Sequence, residues 1–238
     1  MSKVTAIVLA AGQGKRMQSK VQKQYMLLKD KPVIFYSLDA FEHSAVDHVI
    51  LVVGKGEISY CKEHIVDAFG FTKVSKIVEG GKERYHSVAA GIDAIDWDCD
   101  YCMIHDGARP FVTQDILDRA LDTVQETKAC VVGMPIKDTV KIVDDQKNVV
   151  STPTRSLVWQ VQTPQTFLLE LIADCYHKLI SEEEALLKKG VQITDDAMVV
   201  EYFSNTRVRL VEGSYQNIKI TTPDDLYIGE QILSKREN

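Results

Sequence analysis

The stretch Leu9-Ala10-Ala11-Gly12-Gln13-Gly14-Lys15-Arg16-Met17, entered from the β-branched run Thr5 to Leu9 and followed by Lys23-Gln24-Tyr25, decides the fold. A short apolar run that breaks into small residues and cations reads as a strand delivering a ligand-binding turn. Glycines allow backbone N–H groups close to phosphate oxygens, and Arg16 and Lys23 supply the charge that phosphates require. The turn therefore suits a nucleoside triphosphate and is the best candidate for an active site. It is neither a dinucleotide fingerprint, which needs a small residue where Met17 stands, nor a P-loop, which needs Gly-Lys-Ser/Thr. A tight strand-to-helix turn with two solvated cations is the plain alternative.

Outward from this turn, apolar runs alternate with helical patterns. Thr5 to Leu9, His48 to Val53, Lys76 to Val78, Tyr101 to Ile104 and Ala129 to Val132 read as strands. Pro32 suits the first helical position before Ile34, Phe35, Leu38 and Phe41. Ile58, Cys61, Ile65 and Ala68 mark a second stripe, Val88, Ile92 and Ile95 a third, and Ile116, Ala120, Leu121 and Val124 a fourth. A long helix is expected from about Leu168 to Lys189, stopped by Gly190. Strands are expected near Val208 to Val211 and Ile218 to Ile220, and a closing helix after Pro223. This alternation predicts an α/β fold, a doubly wound and mostly parallel sheet whose ligands lie outside the carboxyl ends of the strands.

One stretch interrupts the order. Between Ile136 and Thr154, Val140 and Ile142 are separated from Val149 and Val150 by the polar turn Asp144-Asp145-Gln146-Lys147-Asn148, the pattern of an inserted hairpin. A two-stranded hairpin is marginal alone, so it needs a surface to pack on. A dimerisation arm and a hairpin folded back on its own sheet fit this pattern equally.

The 238 residues suit one domain spanning 1–238, with the hairpin at about 136–155 as its extension. A formal charge of -6, from 28 Lys and Arg against 34 Asp and Glu, gives no general basic surface for nucleic acid or anionic membrane. The apolar runs are too short to span a bilayer and no signal-peptide pattern stands at the start, so a cytoplasmic location is expected. Five cysteines, an odd number, argue against a secreted disulfide framework. Cys99 and Cys102 form a C-x-x-C, but no second pair completes a zinc site.

Chemistry-bearing residues gather at the strand ends. His105-Asp106-Gly107-Ala108-Arg109-Pro110 closes the strand from Tyr101, where Arg109 can hold a phosphate through two hydrogen bonds and Asp106 can accept from hydroxyls or face a magnesium ion. An internal Asp106–Arg109 pair that merely fixes the loop is the plain alternative, and His105 reads as a packed strand residue. Gly80-Gly81-Lys82-Glu83-Arg84 precedes a helix carrying Ser87, which again places backbone donors and a hydroxyl at a strand-to-helix junction. Thr163-Pro164-Gln165, Ile193-Thr194-Asp195-Asp196 and Asn217-Ile218-Lys219 add hydroxyls, carboxylates and a lysine. Thr194 or Asp195 also suits a helix N-cap, and Lys219 a solvated edge strand.

Taken together, LAAGQGKRM with KQY, GGKERYHS, HDGARPF, PIKDTVK, TRSLVWQVQTPQ, GVQITDDA and VEGSYQNIKIT stand in the order and near the spacing of one family. From about Val4 to Leu233 the chain resembles the 2-C-methyl-D-erythritol 4-phosphate cytidylyltransferases, and less closely the ribitol-5-phosphate cytidylyltransferases. The resemblance implies a Rossmann-like nucleotidyltransferase fold and a Mg2+-dependent reaction of CTP with a branched polyol phosphate. It also implies a homodimer in which each β-arm clasps the other subunit. By that resemblance Leu9, Ala10, Ala11, Gly12, Gly81, Lys82 and Ser87 surround the CTP base and ribose, while Arg16 and Lys23 grip its phosphates. Asp106, Arg109, Thr163, Thr194 and Lys219 line the polyol phosphate site, and Thr139 and Arg155 reach in from the partner's arm. The residues that would ligate Mg2+ stay unassigned.

One departure matters. Where the family has Pro-Lys-Gln before the tyrosine, this chain has Gln22-Lys23-Gln24, and loss of the proline frees backbone torsions beside Lys23. A non-catalytic CTP-binding module is the rival reading. The joint presence of Arg16, Lys23, Asp106, Arg155 and Lys219 speaks against it, since a sensor needs no cations for an acceptor phosphate. An α/β dehydrogenase would need the third glycine of its fingerprint.

Overall fold

The computed structural model describes residues 2–12 and 22–236. The strands are β1 (Val4–Ala10), β2 (Leu27–Leu28), β3 (Lys31–Pro32), β4 (His48–Val53), β5 (Val74–Glu79), β6 (Tyr101–Asp106), β7 (Ala129–Pro135), β8 (Ile142–Val143), β9 (Val149–Ser151), β10 (Trp159–Leu168) and β11 (Arg209–Glu212). The helices are α1 (Val33–Glu42), α2 (Ile58–Cys61, running on as a π-helical turn through Asp67), α3 (Arg84–Asp93), α4 (Gln114–Thr127), α5 (Leu169–Lys188), α6 (Asp196–Phe203) and α7 (Pro223–Arg236).

Among the described residues, the central sheet has seven strands in the order β11-β7-β10-β6-β1-β4-β5. β1 lies parallel to β4 and β6, β4 to β5, and β11 to β7, whereas β10 runs antiparallel between β6 and β7. The sheet buries both faces, which is why its inner strands read as unbroken apolar runs. Along β1, Val4, Ala6, Val8 and Ala10 face the layer that holds Ile34 and Leu38 of α1, Cys61 of α2 and Ile116 of α4. Ile7 faces Val88 and Ile92 of α3, Ile172 and Tyr176 of α5 and Val199 of α6. Helices on both faces of a largely parallel sheet make the fold α/β and doubly wound. A smaller cluster of Leu28, Val33, Phe111, Ile220, Ile232 and Leu233 seats α7 over the β2–β3 hairpin.

Two local expectations change, one strand is new, and one open alternative is decided. Pro32 is the extended N-cap of α1, at φ -63 and ψ 146, because β3 pairs it with Leu27 and leaves Val33 to start the helix. Residues 218–220 form no strand: Ile218 N–H is satisfied by Gln216 O and Ile220 N–H by Ala108 O, so no ladder develops. β10 crosses a stretch whose Pro164 argues against a central strand, and the fold accommodates the proline at a register shift between Val161 and Gln165. The hairpin does not fold back on the main sheet. β8 and β9 form a separate two-stranded sheet in which Ile142, Val143, Val149 and Val150 are all exposed.

Candidate active site

A cleft of about 640 Å³ opens at the carboxyl ends of β1, β5 and β6, lined by Leu9, Ala10, Ala11, Gly12, Lys23, Gln24, Gly81, Lys82, Glu83, Arg84, Ser87, Asp106, Ala108 and Lys219. Its position follows from the sheet order, since the chain leaves β1 for β4 on one side and returns with β6 on the other. Arg16 and the rest of the cation-bearing turn from Gln13 to Val21 lie outside the described residues.

The chain re-enters as a single 3-10 turn, Lys23–Tyr25, which brings Lys23 to the cleft. Its underside is tied down. Gln24 is buried and its amide donates to Ala10 O, while the Tyr25 hydroxyl donates to Glu57 Oε2 at 2.8 Å. Gln22 stands at φ -65 and ψ 142, and its side-chain amide donates to Glu57 Oε1. The residue that replaces the family's proline thus holds a proline-like φ and adds a side-chain tether.

The opposite wall is the β5–α3 junction. A Cβ on Gly81 would stand 2.3 Å from the Cβ of His86, so only glycine fits there without displacement. Gly81 N–H donates to Ser87 Oγ at 3.2 Å. Glu83 caps α3, accepting the His86 N–H, while Glu83 N–H donates to His86 Nδ1 at 3.2 Å. This reciprocal pair satisfies two otherwise orphaned donors.

The third side is built around Asp106. Its Oδ2 accepts from Lys219 Nζ at 2.8 Å and lies 3.6 Å from Arg109 Nε, while its Oδ1 faces Arg84 Nε at 3.4 Å. Burial alone would raise the Asp106 pKa. Arg84, then Lys219 and Arg109, outweigh it and hold the carboxyl far below the usual range. Arg84 is fixed in turn, for its two NH groups donate to Asp196 Oδ1 and Oδ2 at 2.7 and 2.8 Å. Asp196 has no exposed side-chain surface and also accepts from the Tyr176 hydroxyl. Of the local cations and anions, Arg84, Arg109 and Lys219 face Asp106 and Asp196, an excess of one positive charge suited to an anionic ligand.

Behind this cluster runs a chain of hydrogen bonds. Asp106 N–H donates to Thr163 Oγ1 at 3.1 Å, and Thr163 Oγ1 pairs with His105 Nδ1 at 3.0 Å. His105 Nε2 pairs with Arg109 O at 3.2 Å. Because Arg109 O can only accept, the network assigns the proton to Nε2 and makes Nδ1 the acceptor of the Thr163 hydroxyl. Burial depresses the His105 pKa to about 4, in keeping with a packed, neutral ring.

The structure thus brings Leu9, Ala10, Ala11, Gly12, Lys23, Gly81, Lys82, Ser87, Asp106 and Lys219 to one cleft. It leaves five sequence candidates off the cleft wall. Thr163 is buried and committed to Asp106 and His105, and Arg109 is mostly buried against Asp106 and Asn217 O. Thr194 is exposed beside Met198. Thr139 and Arg155 are exposed at the arm, where Arg155 donates to Lys137 O at 3.3 Å. Sequence reasoning missed Arg84, Asp196 and Tyr176. The first two sit within quoted motifs, yet their partnership joins residues 112 positions apart. Asp195, read as a possible N-cap, caps α6 by accepting the Met198 N–H at 3.0 Å.

A metal fits this protein shell poorly. Asp106 is already surrounded by three cations, and Glu83, the other cleft carboxylate, caps α3. Among the described residues no group of three or more His, Cys, Asp or Glu could hold a metal ion. No described helix is long and apolar enough to cross a membrane.

Fold and cleft together define a nucleotide-binding α/β transferase. Residues 4–235 match the family model described as IspD, 2-C-methyl-D-erythritol 4-phosphate cytidylyltransferase, and the chain belongs to that family. It is 52% identical over 238 residues to the 2-C-methyl-D-erythritol 4-phosphate cytidylyltransferase of Lachnoclostridium phytofermentans, covering 100% of this chain and 99% of that protein. The enzyme of the same name from Alkaliphilus oremlandii is 44% identical, with 99% and 97% covered. Among solved structures, the 4-diphosphocytidyl-2C-methyl-D-erythritol synthase of Anaerococcus prevotii superposes with a TM-score of 0.84 at 31% identity, covering 98% of this chain and 96% of that one.

Proposed function

We propose that this chain transfers the cytidylyl group of CTP to 2-C-methyl-D-erythritol 4-phosphate, releasing pyrophosphate and forming the CDP-alcohol of the non-mevalonate isoprenoid precursor pathway. The observation that carries this reading is the meeting in one cleft of a glycine wall, Gly12 and Gly81, with Lys23 and the Asp106–Lys219 pair. The first suits a nucleotide, the second a polyol phosphate.

A phosphate monoester with its second pKa near about 6 is already mainly a dianion at neutral pH, so it needs no general base. Its oxygen bonds to the α-phosphorus of CTP as the bond to the bridging oxygen of pyrophosphate breaks and pyrophosphate leaves with the electron pair. Catalysis then consists of alignment and charge neutralisation. Lys23 and Arg16 take the triphosphate in this reading, and Lys219 takes the acceptor phosphate. Magnesium would come with the nucleotide, as MgCTP, and would supply neutralisation of phosphate charge there. The four exposed apolar residues of the arm support a homodimer in which Thr139 and Arg155 of one subunit reach the acceptor pocket of the other. The reading makes 1–238 one domain and the enzyme cytoplasmic.

Pyrophosphate release tests it, with CTP and magnesium offered beside 2-C-methyl-D-erythritol 4-phosphate or ribitol 5-phosphate. Release with the first acceptor is the expected result. Release only with ribitol 5-phosphate reassigns the substrate, and CTP binding with no release from either acceptor leaves a non-catalytic binding module.

A further inference from the structure

We propose that Arg84 is a positioning residue for the acceptor half of the site: held by the buried carboxylate of Asp196, it is the standing counter-ion of Asp106 and releases Lys219 to an incoming phosphate. The inference rests on the cytidylyl-transfer reading above and adds the residues that make its acceptor pocket work.

The two oxygens of Asp106 have unequal partners. Oδ1 faces Arg84 Nε at 3.4 Å, and Oδ2 accepts from Lys219 at 2.8 Å. Arg84 cannot turn away, since both of its NH groups are spent on Asp196 at 2.7 and 2.8 Å and Asp196 is itself held by the Tyr176 hydroxyl. A bidentate guanidinium pair fixes orientation as well as charge. Arg109 is also committed, with Nη1 donating to Asn217 O at 2.9 Å. Lys219 is a flexible ammonium with about a third of its side chain exposed, 35%, on the cleft.

When a phosphate dianion arrives, Lys219 is therefore the cation of this group that swings toward it. That movement would strip a buried carboxylate of its nearest partner, a costly event if nothing remained. Arg84 remains on Oδ1, with the more distant Arg109 Nε at 3.6 Å from Oδ2, and Asp106 stays ionised and aimed at the acceptor's hydroxyls. Asp196 is kept in place from two sides: Asp195 accepts from Gln165 Nε2 at 3.1 Å, and Ala197 N–H donates to Gln165 Oε1 at 2.8 Å. Gln165 thus splints the start of α6 to β10.

Steady-state kinetics on Arg84→Lys, Asp196→Asn and Tyr176→Phe, with separate KM values for CTP and for the polyol phosphate, test the proposal. Loss of one charge-assisted bond in Arg84→Lys or Asp196→Asn is expected to raise the acceptor KM about tenfold, with the CTP KM within about twofold of wild type. Tyr176→Phe keeps the ring and removes one hydroxyl, so it folds even if the charge variants do not, and its acceptor KM should rise about threefold. A parallel rise in both KM values, or unchanged acceptor KM in Tyr176→Phe and Arg84→Lys, overturns the positioning role while wild-type turnover preserves the proposed function. A wild-type protein that releases no pyrophosphate overturns both.

Discussion

Ala11 and Gly80 meet so closely that a Cβ on Gly80 would stand 2.6 Å from the Cβ of Ala11 and 2.6 Å from Ser87 Oγ. The loop after β1 and the loop after β5 therefore pack directly against each other where they leave the sheet. Gly80→Ala should push them apart, destabilise the fold by about 1–3 kcal/mol and raise the CTP KM. Gly12 behaves differently, because a Cβ there would meet nothing within 4 Å among the described residues. Gly12→Ala should leave the melting temperature unchanged and raise only the CTP KM, since in the proposed function the nucleotide takes the space that the methyl would fill. Thermal unfolding measured beside CTP titrations separates the two, and an unchanged CTP KM in Gly12→Ala removes that residue from the binding wall.

Lys23→Ala should lower kcat roughly 100- to 1000-fold, the usual loss when a group stabilising transition-state charge is removed. Turnover equal to wild type in a variant with an intact circular dichroism spectrum takes Lys23 out of the catalytic set.

Gln22 connects sequence departure to loop geometry. Its φ of -65 already matches proline, so Gln22→Pro should keep kcat within about twofold of wild type. Gln22→Ala loses the Glu57 tether without gaining the ring. Its kcat should therefore fall below that of Gln22→Pro, and the reverse order refutes the tether.

His105 sets a pH dependence of stability. Burial holds its folded pKa at about 4, below the ordinary 6.5, so the unfolded chain binds the proton first as pH falls. The stabilisation is complete above pH 6.5 and is lost as pH drops through about 4, a contribution on the order of 3 kcal/mol. Asp106, held far lower by its three cations, stays ionised across that window. Urea unfolding at pH 7.5, 5 and 4 should show the slope in wild type and a smaller one in His105→Gln. Equal slopes exclude His105 as its source.

Physical locality explains what the sequence discloses about this fold. His48–Val53 is legible because a strand buried on both faces leaves an unbroken apolar run. The cleft is legible because Ala11 follows such a run and Asp106 ends another, while Gly81 follows the edge strand β5. β10 is obscured by Pro164, whose place in a central strand depends on a register shift made by its neighbours. The Arg84–Asp196 clamp has no local signature at all, because only the packing of α6 against α5 and the sheet brings the two together. Lys219 is half legible: the motif marks it, but its 2.8 Å contact with Asp106 comes from a turn and not from a strand ladder.

The arm grows out of the sheet between β7 and β10, so its root and the segment carrying Thr163 and Gln165 are one continuous strand. Thr163 steadies Asp106, and Gln165 steadies the residues on either side of Asp196. The strand that receives the chain from the arm is therefore also the one that sets the Thr163 hydroxyl behind Asp106 and the Gln165 amide against the start of α6.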